Sequence, residues 1–159
     1  MKIKEATYND LETVFMLETH CFTQAEAASY EELASRLKTY SHGYDILYEN
    51  GQPIGYIGGL KNDQMVLADE FYHNSSLHQP NGKWQLIFSV CIIPEYQGKG
   101  YARKMVKEYI ERRKAEVDGF VLTCKDHLIP FYEKCGFQFE KVSVSTHGQA
   151  KWNDMFLKL

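Results

Sequence analysis

Hydrophobic and polar positions alternate over Lys2 to Thr7, the period of a short strand with two unlike faces. After Asp10 the spacing lengthens: Leu11, Val14, Phe15 and Leu17 share one side of an amphipathic segment. Ser29 followed by Glu32, ahead of Leu33 and Leu37, is a capping-box pattern and predicts the start of a second helix. Two β-rich runs, Tyr44 to Glu49 and Pro53 to Leu60, flank Asn50-Gly51, a pair suited to the positive φ angles of a tight hairpin. Trp84 to Ile93 is almost continuously apolar and stops at Pro94, which predicts a central strand covered on both faces.

The clearest helix begins at Ala102. Met105, Val106, Tyr109 and Ile110 follow it at offsets of three, four, seven and eight, with the charges opposite. Phe120 to Cys124 reads as a short buried strand. Leu128 to Lys134 reads as a short helix, with Pro130 near its start and Gly136 where a C-cap glycine belongs. Phe137 to Thr146 and Lys151 to Leu159 close the chain as two strands around His147-Gly148. The predicted order is βααββ, a weakly patterned connection from Asn62 to Gly82, then βαβαββ. Strands interleaved with helices and framed by hairpins imply an α/β (α+β) fold, a mixed sheet with helices on its faces.

Composition narrows the picture. A chain of 159 residues, 44% hydrophobic and 25% charged, has the size of one domain over 1–159, and no repeat or linker-like stretch divides it. No signal-peptide pattern opens it, and no run approaches the ~18 apolar residues of a membrane span, so a cytoplasmic protein is expected, with no membrane partner. Cys21, Cys91, Cys124 and Cys135 lie far apart with no C-x-x-C pair, and the six histidines show no zinc-helix spacing. Reduced structural cysteines and no metal are expected. The net charge of -3 conceals a basic stretch, Lys99 to Lys114, where seven Lys and Arg face only Glu108 and Glu111. One basic helix in an otherwise acidic chain suits a single anionic ligand and argues against nucleic acid.

The ligand candidate sits at the start of that helix, in Pro94-Glu95-Tyr96-Gln97-Gly98-Lys99-Gly100-Tyr101-Ala102. Glycines permit backbone conformations closed to other residues, and the following helix offers unpaired N–H groups and the positive end of its dipole to a phosphate. The spacing is neither a P-loop nor a dinucleotide fingerprint. A plain strand-to-helix turn with a solvated basic face is the alternative.

Gln97, Gly100 and Ala102 spell Q-x-x-G-x-A, which resembles the [QR]-x-x-G-x-[GA] signature of the GNAT N-acetyltransferases, and the resemblance extends over the whole chain. It implies the GNAT fold: a central, mostly antiparallel mixed sheet of about seven strands with about four helices. It also implies acetyl-CoA as donor. Val90, Cys91 and Ile92 would hold the pantetheine arm, and Gln97, Gly98, Lys99, Gly100, Tyr101, Ala102 and Arg103 the pyrophosphate. Leu122 to Phe137 contains L-x-C-x-D-x-x-x-P-F-Y and F-Y-x-x-x-G-F spacings that are similar to those of arylalkylamine N-acetyltransferases and their microbial relatives, as is Glu26-Ala27-Ala28-Ser29.

In such a fold Tyr132 would point at the cofactor sulfur and serve as general acid, and a backbone N–H near Val90 to Ile92 would meet the oxyanion. The vertebrate enzymes carry two histidines where this chain has Leu86 and Phe88, so the base is open among Glu26, Asp69, Glu70, His78 or a water relay. Tyr30, Tyr40, Phe71, Tyr72 and Trp84 are candidate pocket aromatics. The expected reaction is direct attack by a small arylalkylamine or polyamine-like primary amine in a ternary complex of a monomer or homodimer. A nucleophilic Cys91 or Cys124 is the rival mechanism. Acetylation of a protein N-terminus or lysine, and a CoA-binding sensor without catalysis, are the other readings.

Overall fold

The computed structural model describes residues 1–159. Seven strands form one sheet in the order β1-β2-β3-β4-β5-β7-β6. They are β1 (Lys2–Glu5), β2 (Tyr44–Glu49), β3 (Gln52–Asn62), β4 (Trp84–Ile92), β5 (Gly119–Cys124), β6 (Gln138–Val142) and β7 (Asn153–Lys158). All neighbours are antiparallel except β4 and β5. The helices are α1 (Leu11–Cys21), α2 (Tyr30–Tyr40), α3 (Glu70–His73), α4 (Tyr101–Arg113) and α5 (Ile129–Lys134).

Local chemistry sets most of these boundaries. The Ser29 hydroxyl accepts from the Glu32 amide at 3.1 Å and the Glu32 carboxylate accepts from the Ser29 amide at 3.2 Å, completing the box that starts α2. Asn50 and Gly51 turn the β2–β3 hairpin with φ of 51° and 79°. Two cores of nearly equal size, 18 and 17 buried residues, lie on opposite faces of the sheet. Burial on both faces is why β4 has no polar side.

The central strand β4 is irregular at one point. Leu86 and Cys91 belong to the first core, Ile87 and Ile92 to the second. Residues five apart cannot share a face of a regular strand, whose side chains alternate with period two. The register resolves this: Ser89 pairs with Gly58 and Ile87 with Gly59, leaving Phe88 as the extra residue of a bulge. Pairing with β5 ends there as well, at Ile87 with Leu122, and the two parallel strands separate beyond it.

Two expectations are corrected. The connection from Asn62 to Gly82 contains a fifth helix, the single turn α3, whose only buried apolar residues are Phe71 and Tyr72, too few to register as a pattern. The strand expected over Phe137 to Thr146 stops at Val142, because the Ser143 hydroxyl accepts from the Ser145 amide at 3.0 Å and bends the chain out of the ladder. No helix is long and apolar enough to cross a membrane.

Candidate active site

The separation of β4 from β5 leaves backbone groups without strand partners. Ile93 donates its amide to the Ile54 carbonyl at 2.8 Å, and Cys91 and Ser89 stand opposite Tyr56 and Gly58. Antiparallel alternation therefore turns the amides and carbonyls of Ser89, Cys91 and Ile93 toward β3, and those of Val90 and Ile92 toward the gap. The Ile92 carbonyl accepts from Gln97 Nε2 at 2.9 Å. The Val90 amide and carbonyl and the Ile92 amide remain facing a cleft of about 420 Å³ whose wall includes Val90, Cys91, Ala102, Phe131 and Tyr132. Cys91 contributes wall, not backbone.

One end of this cleft is the turn into α4. Gly98 and Gly100 have φ of 75° and 86°, and a Cβ added to either would meet nothing within 4 Å. The glycines are required by backbone conformation, with open space above them. Gly100 is the N-cap of α4 and brings no side chain to it, so the first-turn amides are free for an anion. Tyr101 donates its hydroxyl to Glu49, Lys99 Nζ lies 5.4 Å from the Tyr96 ring, and Arg103 is exposed. Gln97 braces the turn through Ile92, while Gly98, Gly100, Tyr101 and Ala102 present backbone.

The basic stretch divides in two. Arg113, at the far end of α4, is buried and makes a bidentate pair with Asp45 at 2.7 and 2.9 Å, while Arg112 reaches the same carboxylate at 3.4 Å. Lys114 pairs with Glu111 at 2.9 Å. Three of the seven basic residues, Arg112, Arg113 and Lys114, are thus paired with carboxylates at the far end of the helix, and Lys99, Arg103, Lys104 and Lys107 are the ones toward its start.

A second, smaller pocket of about 90 Å³ adjoins the cleft, and Val90 and Tyr132 line both. Phe22, Tyr72, Phe88 and Trp152 are its aromatic walls. Tyr132 is buried, packed edge-on against Phe131 and Phe137, and its hydroxyl bonds to no protein group. Burial pushes its pKa up, so it is held protonated. Leu86 is wholly buried, whereas Phe88 lines the pocket between the Tyr72 ring at 4.9 Å and the Arg36 guanidinium at 5.0 Å.

Two buried charges back this pocket. Glu18 accepts from the Ala28 amide at 2.7 Å and from the Tyr56 hydroxyl; burial raises its pKa against those bonds and the opposing charge of Arg36. Arg36 donates from Nη2 to the Tyr72 carbonyl at 2.9 Å.

Of the four side chains named as possible bases, Glu26 alone lines the site, and it is paired with Lys125 at 2.5 Å. Asp69 is engaged by the Ser145 hydroxyl and the Thr146 amide, Glu70 is exposed outside both pockets, and His78 stacks on Tyr40 in a different cavity. Burial pushes the Cys91 thiol well up and that of Cys124 to about 12, so neither supplies a thiolate. Among the proposed aromatics only Tyr72 reaches the pocket. Tyr30 is a surface residue bonded to Glu12, and Tyr40 and Phe71 are core. Glu18, Arg36, Phe22, His147 and Trp152 escape a sequence reading because they come from separate segments with no shared spacing. The sole hint was an imidazole beside a glycine in a polar loop.

Comparison with known proteins supplies context for this geometry. The model of the acetyltransferase (GNAT) family matches residues 8–137. Serotonin N-acetyltransferase of Mesocricetus auratus is 29% identical over 93 residues, 57% of this chain and 44% of that enzyme, so the match spans less than half of the relative's length. The loading GNATL domain of CurA from Lyngbya majuscula superposes with a TM-score of 0.85 at 17% identity, covering 99% of this chain and 96% of that one. The GphF GNAT-like decarboxylase in complex with isobutyryl-CoA gives 0.85 at 15%, with 99% of each chain covered. Identities this low speak to the fold, and the fold expected from the resemblance is the one observed.

Proposed function

The chain belongs to the acetyltransferase (GNAT) family, and on that footing we propose that it transfers the acetyl group of acetyl-CoA to a small primary amine. The observation that carries the reading is the junction of an elongated cleft and an aromatic pocket of about 90 Å³ at Val90 and Tyr132. A cleft with unpaired strand amides at one end and helix amides at the other suits a pantetheine arm followed by a pyrophosphate. The adjoining pocket is walled and small, which favours a compact amine over a protein N-terminus or lysine needing an open groove. Similarity to a serotonin-acetylating enzyme over 93 residues supports an arylalkylamine as the first acceptor to try.

The roles follow from placement. Val90, Cys91 and Ile92 border the arm, and Gln97 to Arg103 form the pyrophosphate turn, with Gln97 bracing it. The Val90 amide, fixed by the bulge and pointing into the gap, stabilises the oxyanion as the amine adds to the thioester. Tyr132, kept protonated by burial, donates to the departing sulfur. Direct attack is favoured over a cysteinyl intermediate because burial holds the Cys91 and Cys124 thiols neutral.

The test is acetyl-CoA-dependent thiol release against arylalkylamines, polyamines, amino acids and peptides. Turnover confined to compact amines is expected. Turnover on peptides alone would replace the acceptor, and tight acetyl-CoA binding with no turnover on any acceptor would make the chain a CoA sensor.

A further inference from the structure

Segments far apart in the chain meet at His147, a residue of the β6–β7 loop. Gly148, with φ of 64°, lies so close to the loop between α1 and α2 that a Cβ there would come within 2.7 Å of Glu26 Cγ. Trp152 Nε1 donates to the His147 carbonyl at 2.8 Å, and Asp69, just before α3, accepts from the Ser145 hydroxyl and the Thr146 amide. The imidazole lies flat on Tyr72, centroids 4.8 Å apart and planes 14° from parallel. It is thus a held ring, on the wall of the pocket that Val90 and Tyr132 also line.

Its tautomer is decided by one contact. His147 Nε2 lies 2.7 Å from the Glu26 backbone carbonyl oxygen. A carbonyl only accepts, so Nε2 carries the hydrogen, and in the neutral ring the lone pair belongs to Nδ1. No protein group bonds to Nδ1. The charged and titratable groups around the ring are Glu18 on α1, Glu26 with its partner Lys125, Arg36 on α2, Asp69, and Tyr72 and His73 on α3. The carboxylates are worse placed to act as bases. Glu26 is neutralised by Lys125, both oxygens of Glu18 accept protein hydrogen bonds, and Asp69 is occupied by the 145–146 backbone and hydroxyls.

We propose that His147 is the general base of the acetyl transfer, acting through Nδ1, in the role that Leu86 and Phe88 cannot fill. The proposal rests on the amine-acetylation reading. A bound ammonium gives one proton to Nδ1, and the freed nitrogen lone pair bonds the thioester carbon. The C–S bond then breaks, and sulfur leaves with the electron pair and takes a proton from Tyr132. The amide nitrogen sheds its remaining excess proton, which restores Tyr132 through solvent, while the imidazolium releases its own. The sum is ammonium plus thioester giving amide, thiol and one proton.

His147→Gln tests this, because a glutamine Nε2 can still donate to the Glu26 carbonyl while nothing replaces the Nδ1 lone pair. With an alkylamine acceptor that the wild type turns over, kcat/KM at pH 7 should fall by about 10²-fold or more. Acetyl-CoA affinity by calorimetry should be unchanged. The gap should narrow about tenfold per pH unit toward pH ~10, where a sizeable fraction of the amine is already neutral. The acid limb of the wild-type profile should be absent from the variant. A variant with wild-type turnover and the same acid limb would overturn His147 as base while leaving amine acetylation standing. Equal loss of acetyl-CoA affinity would overturn it in favour of a scaffold role. A wild type that acetylates no amine would overturn the underlying reading instead.

Discussion

The two halves of the β4–β5 pair are built from the same kind of residues and do opposite things. From Trp84 to Ile87 the strands are hydrogen-bonded, and beside them Arg113 is paired with Asp45 and the Gln85 side-chain amide donates to the Leu60 carbonyl at 3.0 Å. From Phe88 to Ile92 the strands part, and the Val90 backbone, the first turn of α4 and the Tyr132 hydroxyl are left without protein partners. A single bulge at Phe88 divides a region that holds the fold together from one that is free to hold something else.

That contrast is open to attack from either end. The largest effect is expected at the closed end: Asp45→Ala strands the Arg113 guanidinium in the interior and should cost ~3–5 kcal/mol in urea unfolding, with activity per folded molecule intact. Equal loss of turnover would show the two ends to be coupled. At the open end the order reverses. Tyr132→Phe should lower kcat by about 10²-fold with stability and acetyl-CoA affinity nearly unchanged; undiminished turnover removes the hydroxyl from the chemistry.

Gly100→Val forces a β-branched residue to φ of 86° and should weaken acetyl-CoA binding by ~1–3 kcal/mol, read by calorimetry. Undiminished affinity would move the phosphate site elsewhere. The smallest effect concerns the strap holding the 145–147 segment. Burial alone would raise the Asp69 pKa, but the Ser145 hydroxyl and Thr146 amide hold it below the ordinary carboxylate range. A depressed folded pKa stabilises above the ordinary value and is lost as pH falls through the folded one. Hydrogen exchange at the Thr146 amide should therefore quicken, relative to neighbouring amides, as pH drops below about 4; protection that persists in acid would show the strap to be held by other contacts.

Much of the frame was legible because its signals are local. The Ser29–Glu32 box, the Asn50-Gly51 hairpin and the apolar stripe of α4 depend on residues within one turn of each other, and each appears where the pattern placed it. The Gln97 to Ala102 turn was readable for the same reason. The bulge was not: it exists only in the register of β4 against Gly58 and Gly59, and nothing in Leu86-Ile87-Phe88-Ser89 announces it. Nor was the division of the basic stretch, since Arg113 and Lys99 look alike until Asp45, 68 positions upstream of Arg113, is brought beside one of them.

The chain by itself determined most of its elements, their order and the glycine turn into α4, because helix caps, hairpin turns and amphipathic periods are short-range properties of neighbouring side chains. Tertiary structure alone decided which backbone amides on β4 are free, which of several carboxylates and histidines face the aromatic pocket, and which charges are spent. Those outcomes depend on residues such as Glu18, Tyr132 and His147, more than a hundred positions apart at the extremes, whose meeting is set by packing and strand register rather than by any spacing along the sequence.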